Sequence, residues 1–105
     1  MPAYVISEVE VLDEQAADRY RELAAASIAQ YSGRYLVRGA LAEAVEGAPT
    51  ARRFVVVEFP SLQRAREWYA SSEYAQALAY RTAALDRRLL FVEGIGGNHT
   101  EGMAA

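Results

Sequence analysis

Apolar and polar residues alternate along some stretches of this chain and recur every three to four residues along others. From Tyr4 to Val11 the three valines share one phase, and Glu8 and Glu10 share the other. A period of two predicts a half-buried strand, and a period near 3.6 predicts an amphipathic helix. The predicted elements are a strand at 4–11, a helix at 13–33, one or two short strands within 34–45, a strand at 53–59, a helix from 61 to about 70, a short helix at 72–85 and a strand at 87–93.

Residues that favour helix ends stand at the predicted boundaries. Asp13, Ser61 and Ser72 each precede a helical pattern and are predicted to be N-caps. Gly33 is predicted to end the first helix in the left-handed conformation. From Gly94 onward the periodicity is lost. Residues 1–95 are therefore predicted to form the folded domain, and residues 96–105 a flexible tail.

The order strand, helix, strand, strand, helix, strand predicts an α+β protein. It is the ferredoxin-like βαββαβ pattern, with a four-stranded antiparallel sheet and the helices on one face. The opposite face would carry apolar side chains such as Phe54 and Val56. An exposed apolar sheet face usually marks an interface when it is larger than roughly a few hundred Å². The same face of a second copy is the simplest cover. We therefore expect a homodimer.

Net charge and hydropathy exclude several partners. The 105 residues carry a formal net charge of -3, whereas nucleic-acid binding requires a basic surface. No apolar run approaches the ~18 residues of a membrane span, and the amino terminus has no signal-peptide pattern. We expect a cytoplasmic protein with neither nucleic-acid nor membrane partners.

Missing residue types exclude several chemistries. The chain has no Cys, and all 11 of its basic residues are Arg. Thiol nucleophiles and lysine Schiff bases are therefore impossible. The single histidine, His99, could carry protons only if the tail folds over a pocket, and a histidine in a mobile tail is the alternative. We predict no metal and no cofactor.

Arg38 and Glu58 are the first candidates for a functional site. They lie on strands joined by a short loop, and uninterrupted alternation directs both side chains away from the helices. A guanidinium could clamp an anionic ligand while the Glu58 carboxylate serves as a base. The alternative is a structural ion pair, because buried charges are rarely left unpaired.

Tyr4, Glu8, Tyr35 and Trp68 are further candidates for ligand binding. The first three could line the same cavity from neighbouring strands, and Trp68 could reach its mouth. The alternative is ordinary packing, since strand tyrosines and helix tryptophans commonly bury their rings in a core.

Several pieces of the chain resemble one known family, the domain of unknown function 1330 family. They are AYVISEVEV at Ala3 to Val11, GRYLVRG at Gly33 to Gly39, RRFVVVEFPS at Arg52 to Ser61, WYASSEY at Trp68 to Tyr74, and RRLLFVEG at Arg87 to Gly94. The resemblance implies a dimeric α/β barrel in which two ferredoxin-like sheets close face to face. It implies no established reaction. Related barrels include cofactor-free oxygenases, isomerases, dehalogenating or chlorite-splitting enzymes and small binding modules.

Two functions remain open at this point. In the first, the protein binds or transforms a small acidic or conjugated organic molecule in a cavity between the sheet and the dimer mate, with Glu58 as base and Arg38 as anion clamp. In the second, it is a structural or regulatory homodimer whose barrel is filled by its own side chains. A cavity deep enough for a ligand would favour the first.

Overall fold

Four strands and three helices make up most of residues 1–95, the part of the chain that the computed structural model describes. In chain order they are β1 (Ala3–Val11), α1 (Glu14–Gln30), β2 (Arg34–Leu41), β3 (Arg53–Phe59), α2 (Leu62–Tyr69), α3 (Ser72–Ala84) and β4 (Leu85–Glu93). The predicted order of elements is confirmed, including the division of the second crossover into two helices. β2 ends earlier than predicted, and β4 begins earlier.

The strands form one antiparallel sheet in the order β2–β3–β1–β4. β1 and β2 therefore run parallel and are joined by α1, while β3 and β4 are joined by α2 and α3. This is the ferredoxin-like fold, and the predicted fold class is confirmed. The helices pack on one face of the sheet, here called the helix side. The other face is called the open face, and its pairing with a second sheet stays a prediction.

Different local features define the two ends of α1. It begins at Asp13, whose side chain accepts a backbone N–H of the first turn at 3.0 Å, as predicted. The left-handed residue after the helix is Ser32, with φ 65°, so the prediction that Gly33 has this role is wrong. Gly33 serves close packing instead. A Cβ there would lie 2.7 Å from Ile28 and 2.8 Å from Phe59.

Serine hydroxyls cap the two helices of the second crossover. Ser61 Oγ accepts the backbone N–H of Arg64, and Ser71 Oγ accepts that of Tyr74, both at 3.0 Å. The first cap is as predicted. The prediction of Ser72 as the second cap is wrong by one residue, because either of two consecutive serines can supply a capping hydroxyl.

A bulge in β2 reverses the direction of its side chains. Leu36 has no partner in the register with β3 at the first of two irregularities. One inserted residue shifts the alternation by one position. Val37 consequently pairs with Val56 of the open face, and Arg38 pairs with Val55 of the helix side.

Aromatic rings form the centre of the core between the sheet and the helices. The Trp68 ring lies 5.3 Å from that of Phe59 and 4.1 Å from that of Tyr74. The indole N–H of Trp68 donates to Ser27 Oγ at 3.0 Å. All four residues are buried, so the cluster holds the Trp68 ring in place against the sheet.

Candidate functional site

A cavity of about 320 Å³ lies between the helix side of the sheet and α1. Most of its wall is apolar, from strand valines, Leu89 of β4, Ile28 of α1 and Trp68 of α2. Polar groups reach it from β1, β2, β3, β4 and α1: Ser7, Tyr20, Arg21, Tyr35, Arg38, Arg53 and Arg87. A mainly apolar cavity with a few converging polar groups is typical of a small-molecule site.

Arg87 and two tyrosines form a hydrogen-bonded cluster at this cavity. Arg87 Nη1 donates to Tyr20 Oη and Arg87 Nη2 donates to Tyr74 Oη, each at 2.7 Å. The two hydroxyl oxygens lie 2.5 Å apart. Tyr20 comes from α1, Tyr74 from α3 and Arg87 from β4, so the cluster joins three elements.

Tyr74 and Tyr35 stay neutral at physiological pH. Burial raises the pKa of Tyr74 far above its ordinary value, and Arg87 opposes this only in part. Burial likewise raises the pKa of Tyr35, while Arg38 lowers it by a smaller amount. Both hydroxyls therefore keep their protons, and Tyr74 does not neutralise the positive charge of Arg87 as a tyrosinate.

The arginines of the cavity differ in which groups balance their positive charge. Arg21 lies 2.9 Å from the carboxylate of Asp18. Within the described part of the chain, no carboxylate forms a salt bridge with Arg38, Arg53 or Arg87. Arg38 stacks over the Tyr35 ring at 4.1 Å, and Arg53 donates to a backbone carbonyl. Arg87 is the most enclosed of these three. Enclosing a cation without a counter-ion costs free energy of folding.

The open face has the opposite character. Its central row runs across all four strands in register, with Val37 next to Val56, Val56 next to Ile6, and Ile6 next to Leu90. Ion pairs flank this row. Arg34 Nε lies 2.6 Å from Glu58 Oε1, and Arg88 Nη2 lies 3.6 Å from Glu8 Oε1.

The structure separates the predicted site residues into two groups. Tyr35, Arg38 and Trp68 line the cavity on the helix side. Tyr4, Glu8 and Glu58 lie on the open face, as their register positions show. The roles of all six in binding or catalysis stay predictions.

The prediction that Arg38 and Glu58 share one site is wrong. Arg38 pairs with Val55 on the helix side, whereas Glu58 pairs with Arg34 across the open face. The bulge at Leu36 is the physical reason, because it turns Arg38 to the side opposite to that given by simple alternation. The cavity described above lies beneath the helices of a single chain. The expected cavity between the sheet and a dimer mate stays a prediction.

Sequence reasoning missed Tyr20, Tyr74 and Arg87 as a site. A signal was present, because Arg87 stands in the same phase as Leu85 and Leu89 of β4. A charged residue within the buried phase of a strand needs a partner. The tyrosines carry no such signal, since an aromatic residue on the buried stripe of a helix is usually core.

The described residues contain no group of three His, Cys, Asp or Glu side chains placed to hold a metal ion. None of the helices in residues 1–95 has both the length and the hydropathy needed to cross a bilayer. His99 and the predicted tail lie outside the described residues.

Solved structures share this fold at low sequence identity. A protein of unknown function from Rhodopseudomonas palustris superposes with a TM-score of 0.75 at 18% identity, covering 90% of this chain and 83% of its own. A dimeric protein of unknown function with a ferredoxin-like fold from Bacteroides fragilis gives 0.60 at 14%, covering 89% and 96%. A protein from Nitrosomonas europaea, whose suggested activity is antibiotic biosynthesis monooxygenase, gives 0.54 at 14%, covering 92% and 94%.

These similarities establish the fold alone. No curated protein matches the sequence. The profile of one family, described as domain of unknown function DUF1330, matches residues 2–95. That range contains every strand and helix described above, and the chain belongs to the DUF1330 family.

Proposed function

We propose that this protein binds a small organic anion in the cavity between the sheet and α1. Arg87 is the observation that carries the proposal. Its guanidinium lies in the cavity wall, donates to two tyrosine hydroxyls, and has no carboxylate partner among residues 1–95. A carboxylate or other oxyanion entering the cavity would supply the missing counter-charge.

The volume and the wall define the rest of the ligand. At roughly 30 Å³ for each water in the liquid, the cavity of about 320 Å³ has the volume of about ten waters. This is the small end of the range for ligand sites. The apolar strand valines and Trp68 favour a hydrocarbon body, so a single-ring or short branched acid fits best.

We propose further that the protein is a homodimer joined through its open faces. The apolar row of Ile6, Val37, Val56 and Leu90 supports this arrangement, because one chain leaves Leu90 38% exposed. The dimeric state of the structurally similar Bacteroides fragilis protein also supports it. Self-complementary pairing about a twofold axis would cover the row with its own copy.

Binding is the part of the function that the geometry supports. Groups that hold an anion can also stabilise an anionic intermediate, so the site is compatible with catalysis on an ionisable compound. Whether the protein only binds its ligand or also transforms it, the hydrogen-bond donors come from the cluster of Tyr20, Tyr74 and Arg87.

Trp68 provides the test. It is the only tryptophan of the chain and lines the cavity, so ligand entry should change its fluorescence. We expect saturable changes with aromatic and branched carboxylic acids, and much weaker responses to the matching primary amides. Equal responses to acids and amides, or no saturable response to any acid of this size, would contradict the proposal.

A further inference from the structure

The hydrogen atoms of the Arg87 cluster can be counted. A tyrosine hydroxyl has one hydrogen to donate and can accept two hydrogen bonds, whereas a guanidinium only donates. Arg87 donates to both hydroxyls, and one hydroxyl must donate to the other across the 2.5 Å between them. The hydrogen of one tyrosine is therefore left over, and no hydrogen bond from it is made to the described residues.

The burial of the two tyrosines decides whether Tyr20 or Tyr74 keeps the hydroxyl hydrogen that is left without an acceptor. Tyr74 is 0% exposed and lies behind the wall, whereas Tyr20 is 8% exposed and lines the cavity. If Tyr20 donated to Tyr74, the remaining hydrogen would be sealed in the core without an acceptor, which is costly. The favoured order is therefore Tyr74 to Tyr20, with the Tyr20 hydrogen available to the cavity.

In this order the cluster offers a ligand donors and no acceptors. The Tyr20 oxygen already accepts from Arg87 and Tyr74, which fills its capacity. An ionised oxygen in the cavity gains the Tyr20 O–H and the positive charge of Arg87. A neutral hydroxyl placed there would find no acceptor in the cluster for its own hydrogen.

We infer that the cavity takes weakly acidic hydroxyl compounds, phenols or enols, as their oxyanions in preference to their neutral forms. The inference rests on the proposed function and narrows its ligand class. Simple carboxylic acids are already ionised at neutral pH and fit the same donors. Phenols and enols are the compounds whose charge state the site would change.

The other polar groups around the cavity agree with this preference. Arg21 of α1, Arg38 of β2 and Arg53 of β3 are cations, and Tyr35 of β2 is a neutral phenol. Asp18 and Glu14, the carboxylates that pair with Arg21, are exposed. Ser7 of β1 carries a hydroxyl that can donate as well as accept, so it does not exclude an oxyanion.

The test is a pH titration of 4-nitrophenol bound to the full-length protein, followed by absorbance. The phenol and the phenolate absorb at different wavelengths, so the charge state of the bound compound is read directly. An opposite charge within a few ångströms lowers an acid's pKa by about one to three units. We expect the pKa of bound 4-nitrophenol to fall by at least about one unit, equal to tenfold tighter binding of the phenolate.

Variants locate the cause of the shift. Tyr20→Phe removes the free donor and keeps the charge, so the shift should shrink while binding persists. Arg87→Met should remove most of the shift. Arg19→Met is the matched control, because Arg19 pairs with Glu22 on the solvent side of α1, outside the cavity. It should leave the shift intact.

Benzoate separates failure of the inference from failure of the proposed function. If benzoate binds but bound 4-nitrophenol keeps or raises its solution pKa, the cavity holds anions without selecting the ionised phenol, and the inference is overturned. A lowered pKa that survives both Tyr20→Phe and Arg87→Met also overturns it. If neither compound binds, the proposed function fails as well.

Discussion

The two faces of the sheet are built from the same strands but treat charge in opposite ways. On the open face, Arg34 pairs with Glu58 and Arg88 pairs with Glu8, on either side of an apolar row. On the helix side, Arg87 donates to two tyrosine hydroxyls and has no acidic partner within residues 1–95.

This difference separates two kinds of surface. The charges on the open face are already paired, so only its apolar row is left in contact with water. A second protein surface that covers the row removes it from water, which is favourable. Arg87, a cation without a counter-ion in an enclosed apolar wall, would be stabilised by a bound anion. The open face is therefore proposed to be a protein interface, and the helix side a ligand site.

The largest expected effect breaks the interface. Val56→Glu places a carboxylate in the middle of the apolar row, where pairing would bury it without a partner. Such a charge costs several kcal/mol, so we expect light scattering to report a mass near 11.6 kDa instead of twice that value. Val45→Glu is the control, because Val45 is 86% exposed in the loop after β2. A variant Val56→Glu that keeps the dimer mass would contradict the proposed interface.

The next effect breaks the ligand site and leaves the interface intact. Hydrogen bonds to charged groups contribute about 1.5–3 kcal/mol, so Arg87→Met should weaken carboxylate binding about ten- to hundredfold. The dimer mass should not change. If Arg87 only ties the helices to β4, the variant will lower the melting temperature and leave the affinity of correctly folded protein unchanged.

A smaller effect compares two arginines of β2, of which Arg34 is in an ion pair and Arg38 is in none within the described residues. Arg38 is exposed at the cavity and exposed charge pairs contribute about 0.2–1 kcal/mol, so Arg38→Met should reduce affinity by at most about fivefold. This loss should diminish at high salt. Arg34→Met removes the same charge on the open face and should leave ligand affinity unchanged. Equal losses in both variants would mean that net charge alone attracts the ligand.

The smallest effect lies outside both faces. The pKa of Glu73 is lowered, first by its own backbone N–H at the start of α3 and then by the Tyr31 hydroxyl at 2.9 Å. A lowered pKa in the folded state stabilises the fold above the unfolded pKa, and this stabilisation is lost as pH falls through the folded value. Glu73→Gln should therefore melt slightly lower than the wild type near neutral pH. The difference should disappear in acid, and a difference independent of pH would show that the carboxylate charge is not its source.

The fold could be predicted from the sequence because each element has a local cause. The alternation of β1 and β3 and the caps at Asp13 and Ser61 act over a few residues and are confirmed. The assignment of Phe54 and Val56 to the face opposite to the helices is also correct.

The site could be predicted only in part, because its geometry depends on distant contacts. No local signal marks the bulge at Leu36, and that one residue moves Arg38 to the helix side and away from Glu58. The cluster of Tyr20, Tyr74 and Arg87 joins residues as many as 67 positions apart. Tyr35 and Trp68 line the cavity under the helices, whereas the sequence predicts them at a cavity between two sheets, and that second cavity stays a prediction.

A crystal of the full-length protein soaked in 4-bromobenzoate tests the central claim most directly, because anomalous scattering locates the bromine without ambiguity. We predict one ligand in each chain between the sheet and α1, with its carboxylate within hydrogen-bond distance of Arg87 and Tyr20 and its ring against Trp68. Bromine found between two open faces, or in the cavity with the carboxylate turned away from Arg87, would contradict the account.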